Sequence, residues 1–299
     1  MKFNLSFLGF IILCLIWSST WLFIKIGLET MPPFLSAGIR FFIAFLALSV
    51  YAIILKLKFP KDLKSHLFFL LFGQAIFTIS YGLVYWGEQY IDSGLTSVLF
   101  SVMPFYTAVL SLKMLPGEKL TIRKIIGIFA GLIGTIVIFG GQIEIGFENS
   151  FQTLAMIGIL LSPLFSSYGT ILGKRAVKKF HPITLNTLPL LYASLSFIFI
   201  SIFSESFGDV QFTGMAIFSL FYLAIFGTAI AFVIYFWMLK NTSAIMMSSI
   251  TFITPPLALV WGWMFLDESL SWELVLGMVI IFTGIWFVRD IETKTVIEK

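Results

Sequence analysis

The sequence predicts an all-α, polytopic membrane protein of ten transmembrane helices, arranged as two five-helix repeats of opposite topology. Three observations carry this. Apolar residues come in unbroken runs of about 20, the length of helix that crosses roughly 30 Å of hydrocarbon. The basic residues between those runs alternate in a way that fixes sidedness. The two halves of the chain resemble each other at an offset of about 150 residues.

Composition excludes a soluble globule. Hydrophobic residues make up 59% of the chain and charged residues 11%, with a mean hydropathy of +1.02. A soluble domain carries about 25% charged residues. Only helices and closed barrels satisfy every backbone polar group in lipid. A barrel needs strands of about ten alternating residues, and these runs do not alternate. The net charge of +4 and pI near 9.1 would suggest nucleic acid in a soluble protein. Here the lysines sit between apolar runs, so the charge reads as topology and no nucleic-acid partner is expected. The single cysteine, Cys14, lies in the first run and has no intrachain partner. Met1-Lys2 and the run that follows lack an A-x-A-like cleavage site, which reads as an uncleaved first helix.

The spans are 6–26, 34–55, 66–87, 93–113, 122–141, 153–173, 184–204, 214–238, 243–266 and 272–289. With the N-terminus in the cytoplasm, the inside segments hold Lys2; Lys56, Lys58, Lys61 and Lys64; Lys113, Lys119, Arg123 and Lys124; Lys174, Arg175, Lys178 and Lys179; Lys240; and Arg289, Lys294 and Lys299. That is 17 of the 19 basic residues; Lys25 and Arg40 remain, at the outer ends of spans. Cytoplasmic enrichment of Lys and Arg sets orientation, so the pattern predicts a multi-pass protein of the inner (plasma) membrane with both termini cytoplasmic.

The repeat joins 6–141 to 153–289. Gly127 pairs with Gly277, Gly134 with Gly284, Glu118 with Glu268 and Thr121 with Ser271; Pro104 pairs with Pro255 after a one-residue slip. Earlier in each half, Lys25 pairs with Lys174 and Pro33 with Pro182. Five spans per half is an odd number, so like halves must enter the membrane upside down to each other. Inverted repeats recur in transporters, with the substrate site near the midplane where the repeats meet.

These segments resemble the EamA branch of the drug/metabolite transporter superfamily. The resemblance covers about residues 8–289. It is carried by WSSTWLFIKIGLETMPPFLSAGIRF at 17–41, by the LPGEKLT and LDESLS boxes at 115–121 and 266–271, and by the glycine-spaced helices after each box. One departure is the extra residue in LPGE, where LGE is usual. The resemblance implies ten helices, a five-plus-five inverted repeat, a central cavity, and transport, often outward, of amino acids, related metabolites, sugars, nucleosides or toxic compounds.

Candidate site residues follow from the cost of polar groups in lipid. No Asp or Glu lies near the middle of a span, and His66 and His181 sit at cytoplasmic edges. Arg40, about six residues into the second span, and Lys25, near the outer end of the first, either hold a substrate carboxylate or form an ion pair or gate with Glu88, or else snorkel to the headgroups. Trp17, Thr20, Tyr81, Tyr85, Ser101, Ser167, Tyr168, Tyr235 and Thr251 fall where an aromatic cavity with a few hydrogen-bonding groups would be lined, although Ser and Thr also bond across packed helices. Trp86, Trp272 and Trp286 fit an interface belt. Pro104 and Pro255 are hinge candidates, or static bends. Glu118 and Glu268 read as helix caps. The glycines at 127, 131, 134, 277 and 284 suit close helix packing, including a contact between the fifth and tenth spans.

The function expected is secondary transport of small metabolites by alternating access, an exporter of amino acids or related compounds, with membrane lipids as surroundings and a homodimer left open. No G-x-x-x-x-G-K-[ST] occurs, so ATP hydrolysis is not expected. No cofactor, metal site or enzymatic activity is expected. A lipid flippase is the nearest rival. A membrane-embedded lipid-modifying enzyme would need clustered Asp, His or Glu, and a structural scaffold would tolerate loss of the midspan polar residues.

Overall fold

The computed structural model of the chain describes residues 5–116, 119–139, 150–208, 210–266 and 272–288. Among these, every regular element is helical. The chain runs through α1 (Leu5–Leu28) and α2 (Pro33–Ile54) to a third rod made of α3 (Leu63–Gly73), a π-helix at Gln74–Ile79 and α4 (Ser80–Gly87). It continues through α5 (Ser93–Phe100), α6 (Met103–Met114) and α7 (Ile122–Phe139). α8 (Ser150–Ala176) and α9 (Pro182–Ser204) lead to a second interrupted rod: α10 (Gly214–Ala224), a π-helix at Ile225–Ile230 and α11 (Ala231–Leu239). α12 (Ala244–Ser248), α13 (Ile250–Leu266) and α14 (Trp272–Val288) complete it.

Each helical stretch starts and stops within about one turn of the span read from the sequence. Among the described residues seven stretches are long and apolar enough to cross a membrane, and Ala244–Ala258 and Trp272–Val288 are shorter apolar helices. Glu118 and Glu268, read as caps, lie outside the described residues.

Sequence accounts for the helix ends. Pro33 and Pro182 open α2 and α9, where a missing N–H costs nothing. Thr213 and Ser243 accept from the N–H groups of Ala216 and Met246, and Asp62 accepts from that of Ser65 at 2.8 Å. That bond holds the Asp62 carboxyl below the usual carboxylate range. The first N–H groups of α2 are satisfied from another helix: Phe34 and Leu35 donate to the two oxygens of Glu205, at 2.7 and 2.9 Å. A carboxylate at a helix N-terminus answers both the orphan donors and the positive end of the dipole.

Lipid offers no hydrophobic drive between helices, so association rests on close approach and on hydrogen bonds. Both are visible. The most extensive contact is α7 on α14, followed by α2 on α9. Ser194 donates to the Gly38 carbonyl across the second pair at 2.9 Å. α1 packs on α10, α11 and α13, whereas α8 packs on α4, α5 and α6. Side chains such as Ile53 and Phe203 stay 73% and 75% exposed, which is tolerable only against lipid.

The two π-helices begin 151 residues apart, at Gln74 and Ile225, and end 151 residues apart, at Ile79 and Ile230. A π turn widens the backbone and releases carbonyls from the regular ladder. Both widenings face the interior, and they position the site.

Candidate functional site

A cavity of about 70 Å³ lies between α1, α4, α8, α11 and the first turns of α13. At roughly 10–15 Å³ per water it holds only a few water molecules. Its wall is mostly apolar, with Trp17, Trp21, Tyr81, Phe100, Phe232 and Tyr235 as its aromatic part. The hydroxyls of Thr20, Ser166, Thr170 and Thr251 add polar points. Trp17 is fixed by its rings' neighbours and by its N–H. It packs on Phe232 and Tyr235, with centroids 5.4 Å apart in both cases, and donates at 3.2 Å to the carbonyl of Gly227 in the second π-helix. Thr170 and Tyr235 share a hydrogen bond of 3.0 Å. The indole N–H of Trp21 is buried and has no partner among the described residues.

Gly227 brings the second π-helix against α1 and Arg40. A Cβ built there would lie 2.9 Å from Cγ2 of Thr20 and 3.5 Å from a guanidinium nitrogen of Arg40. The widened turn therefore needs glycine to bring a carbonyl to Trp17.

Behind this wall sits Arg40, 1% exposed. Its Nε donates to Thr228 Oγ1 at 2.9 Å and its Nη1 to the Tyr85 hydroxyl at 3.1 Å. The guanidinium also lies over the Tyr81 ring, 5.0 Å from the centroid. A buried cation is tolerable only with such partners, and Tyr81 is the layer between this charge and the cavity.

Lys25 reaches across to the end of α4. Its Nζ donates to the backbone carbonyls of Glu88 at 2.7 Å and Ile91 at 3.2 Å. Lys174 does the same at the end of α11, donating to Leu239 and Thr242, both at 2.7 Å. Each lysine neutralises the orphan carbonyls that close a helix. The acceptors in the two cases are again 151 residues apart.

The structure gathers Trp17, Thr20, Tyr81, Tyr235 and Thr251 at the cavity, with Arg40 and Tyr85 in the layer behind. Ser101 bonds its own helix at Val98. Ser167 joins α8 to α6 through Thr107 and the Met103 carbonyl. Tyr168 is 39% exposed on the outer face of α8. Lys25 touches Glu88 through the backbone, not the carboxylate. Pro104 opens α6 directly after the break at Ser101–Val102, while Pro255 lies within α13, one to two turns beyond the break at Ser249. Phe100, Met103, Phe232, Met247 and Ile250 line the cavity and carry no signal that separates them from lipid-facing residues of the same types. Among the described residues no group of His, Cys, Asp and Glu could hold a metal ion.

Comparison with known proteins agrees with this architecture. The EamA-like transporter family model matches twice, over residues 4–140 and 153–289. The uncharacterized transporter YoaV of Bacillus subtilis (strain 168) is 31% identical over 281 residues, covering 93% of this chain and 94% of that protein. The uncharacterized transporter YvbV of the same organism is 30% identical over 296 residues, covering 96% and 91%. The uncharacterized inner membrane transporter YedA of Escherichia coli (strain K12) is 28% identical, covering 90% and 86%. One crystal structure matches with a TM-score of 0.80 at 17% identity, covering 94% of this chain and 95% of its own, which speaks to the fold alone.

Proposed function

Because the chain belongs to the EamA-like transporter family, we propose that it is a secondary transporter of small metabolites in the inner membrane, an exporter of amino acids or related compounds. The reading takes the chain as ten spans in two inverted halves, 6–141 and 153–289, with both termini cytoplasmic, and it assigns transport rather than catalysis. Outward direction and amino acids rest on the family resemblance.

The observation that carries the mechanism is the lysine pair. Lys25 and Lys174 occupy corresponding positions in the two halves, and each ties its helix to the carbonyl end of an interrupted rod. In inverted halves these ties lie on opposite membrane faces. They are then an outer and an inner latch over a cavity that is contracted with both closed. Releasing one at a time gives alternating access. The exchanged helix contacts support the same reading: α1 of the first half packs on the second half's interrupted rod, and α8 of the second packs on the first's.

In this account Trp17, Thr20, Tyr81, Tyr235 and Thr251 contact the substrate. Trp21 offers an unsatisfied donor. Arg40 supplies the charge that a carboxylate requires, reached when Tyr81 swings aside. Purified protein in proteoliposomes, assayed for uptake and efflux of labelled amino acids, tests the function. Saturable flux that Arg40→Ala and Tyr85→Ala reduce supports it; scrambling of fluorescent lipid without metabolite flux would favour a flippase.

A further inference from the structure

Glu88 follows α4 directly and is 0% exposed, yet neither carboxylate oxygen has a hydrogen-bond partner among the described residues. The positive charges acting on it are Lys25 on α1 and Arg40 on α2, and Tyr85 is the titratable group nearby on its own helix. α8 presents only neutral groups to this corner, with Ile159 and the Ala155 carbonyl against Gly87. Lys25 Nζ and two of the three guanidinium nitrogens of Arg40 donate to other groups. Lys25 donates to backbone carbonyls, and Arg40 to Thr228 and Tyr85. Nor does the latch need this side chain: at the corresponding place Lys174 binds the carbonyl of Leu239, an apolar residue. Among the described residues this carboxyl makes no structural bond, and it is buried beside the outer latch.

We propose that Glu88 is a proton-binding site coupled to that latch; the inference rests on the gating reading above. A buried carboxylate without donors is costly, so the closed arrangement holds the group as the neutral acid. When Lys25 leaves the two carbonyls, its ammonium is released beside the carboxyl. The O–H bond then breaks, the proton passes to water at the outer face, and an ion pair with Lys25 replaces it. Linkage requires the converse: external acid closes the latch as strongly as closure favours the proton. A metal ion fits poorly, because it needs several oxygen ligands and two cations already flank the site.

Infrared difference spectroscopy of the protein in lipid, between about pH 4 and 9 where buried carboxyls titrate, reads the site without a substrate. The wild type should show the carbonyl stretch of a protonated carboxyl that disappears as pH rises and is missing in Glu88→Gln. In a Cys14→Ala chain, labelling of Met247→Cys by an impermeant maleimide from the outside, taken as a ratio to that of the exposed position Glu29→Cys at the same pH so that the thiolate fraction divides out, should rise several-fold over the same range. The rise should vanish when Glu88→Gln is added. A spectrum identical in the wild type and Glu88→Gln, or a labelling ratio that ignores pH, overturns the proposal. Amino-acid flux in the same vesicles keeps the two readings apart. Flux with no Glu88 band removes the proton site and leaves the transporter; a Glu88 band without flux does the reverse.

Discussion

Gly127 on α7 and Gly284 on α14 meet backbone to backbone. A Cβ built on Gly127 would lie 2.5 Å from the Gly284 carbonyl oxygen, and one on Gly284 would lie 2.6 Å from that of Gly127. Gly134 and Gly277 repeat the arrangement about two turns along the same pair of helices, at 2.7 and 2.6 Å. The partners are crossed: the glycine early in α7 meets the one late in α14. Since Gly127 corresponds to Gly277 and Gly134 to Gly284, exchanging the halves returns the same two contacts. The proposed inverted halves, related by a two-fold axis through the α7–α14 crossing, would give this pairing.

The first prediction concerns this crossing. A side chain at Gly284 meets backbone, which cannot swing away, so the helices must separate. Gly284→Val should destabilise by about 1–3 kcal/mol, the usual cost of overpacking, and Gly127→Val by a similar amount. The double variant should cost less than the sum, because either one already parts the pair. Thermal unfolding in detergent checks this, and unchanged midpoints would refute it.

A second prediction isolates the π-helix. Gly227→Ala places a methyl 2.9 Å from Thr20 Cγ2 and should push the Gly227 carbonyl away from Trp17. Flux should fall about tenfold, the equivalent of 1.4 kcal/mol. Thr20→Ser removes the offending methyl and keeps the hydroxyl bond to the Trp17 carbonyl, so the double variant should recover most of the loss. Rescue in a transport assay is the readout, and its failure would mean that Gly227 matters for some other reason.

The Arg40 network gives a third. Thr228→Val leaves Nε of a buried guanidinium without its acceptor, which should cost about 1–3 kcal/mol. Tyr85→Phe should cost less, because the ring remains over the cation. Chemical stability measured by denaturant titration ranks the two variants; the reverse order would contradict the assigned bonds.

The latches supply a fourth. Charge-assisted hydrogen bonds are worth about 1.5–3 kcal/mol each, so losing one latch should shift the open fraction by tenfold or more. Lys25→Met should raise outside labelling of Met247→Cys, whereas Lys174→Met should lower it by favouring the inward-open form. Equal effects of the two variants would remove the latch assignment.

Much of this fold is written in the sequence, and the reasons for the remainder are physical. Helix ends were legible because lipid demands long apolar runs and charges stay outside them. The glycines of α7 and α14 were legible because close approach needs that residue. The π-helices were not: QAIFTI and IFGTAI look like any span. The cavity wall was half legible. Tyr81 and Tyr235 stand out in an apolar run, but Phe232 inside and Phe203 outside differ only in what they face. In a membrane, core and lipid are equally apolar, so the periodicity that sorts faces in soluble helices is faint. Tyr168 shows the cost: it follows Ser166 and Ser167 in sequence yet points outward. Glu205 shows the opposite, an acid just after α9 whose task, capping α2, depends on a contact between distant helices.

The central claim is that the two halves lie upside down to each other. It is tested most directly by placing single cysteines at the exposed positions Glu29, just after α1, and Lys178, just after α8, in a Cys14→Ala chain. An impermeant maleimide added to intact cells should label Glu29→Cys and spare Lys178→Cys, with both labelled once the membrane is opened. Labelling of both, or protection of both, in intact cells would put the two corresponding corners on one face and contradict the inverted architecture.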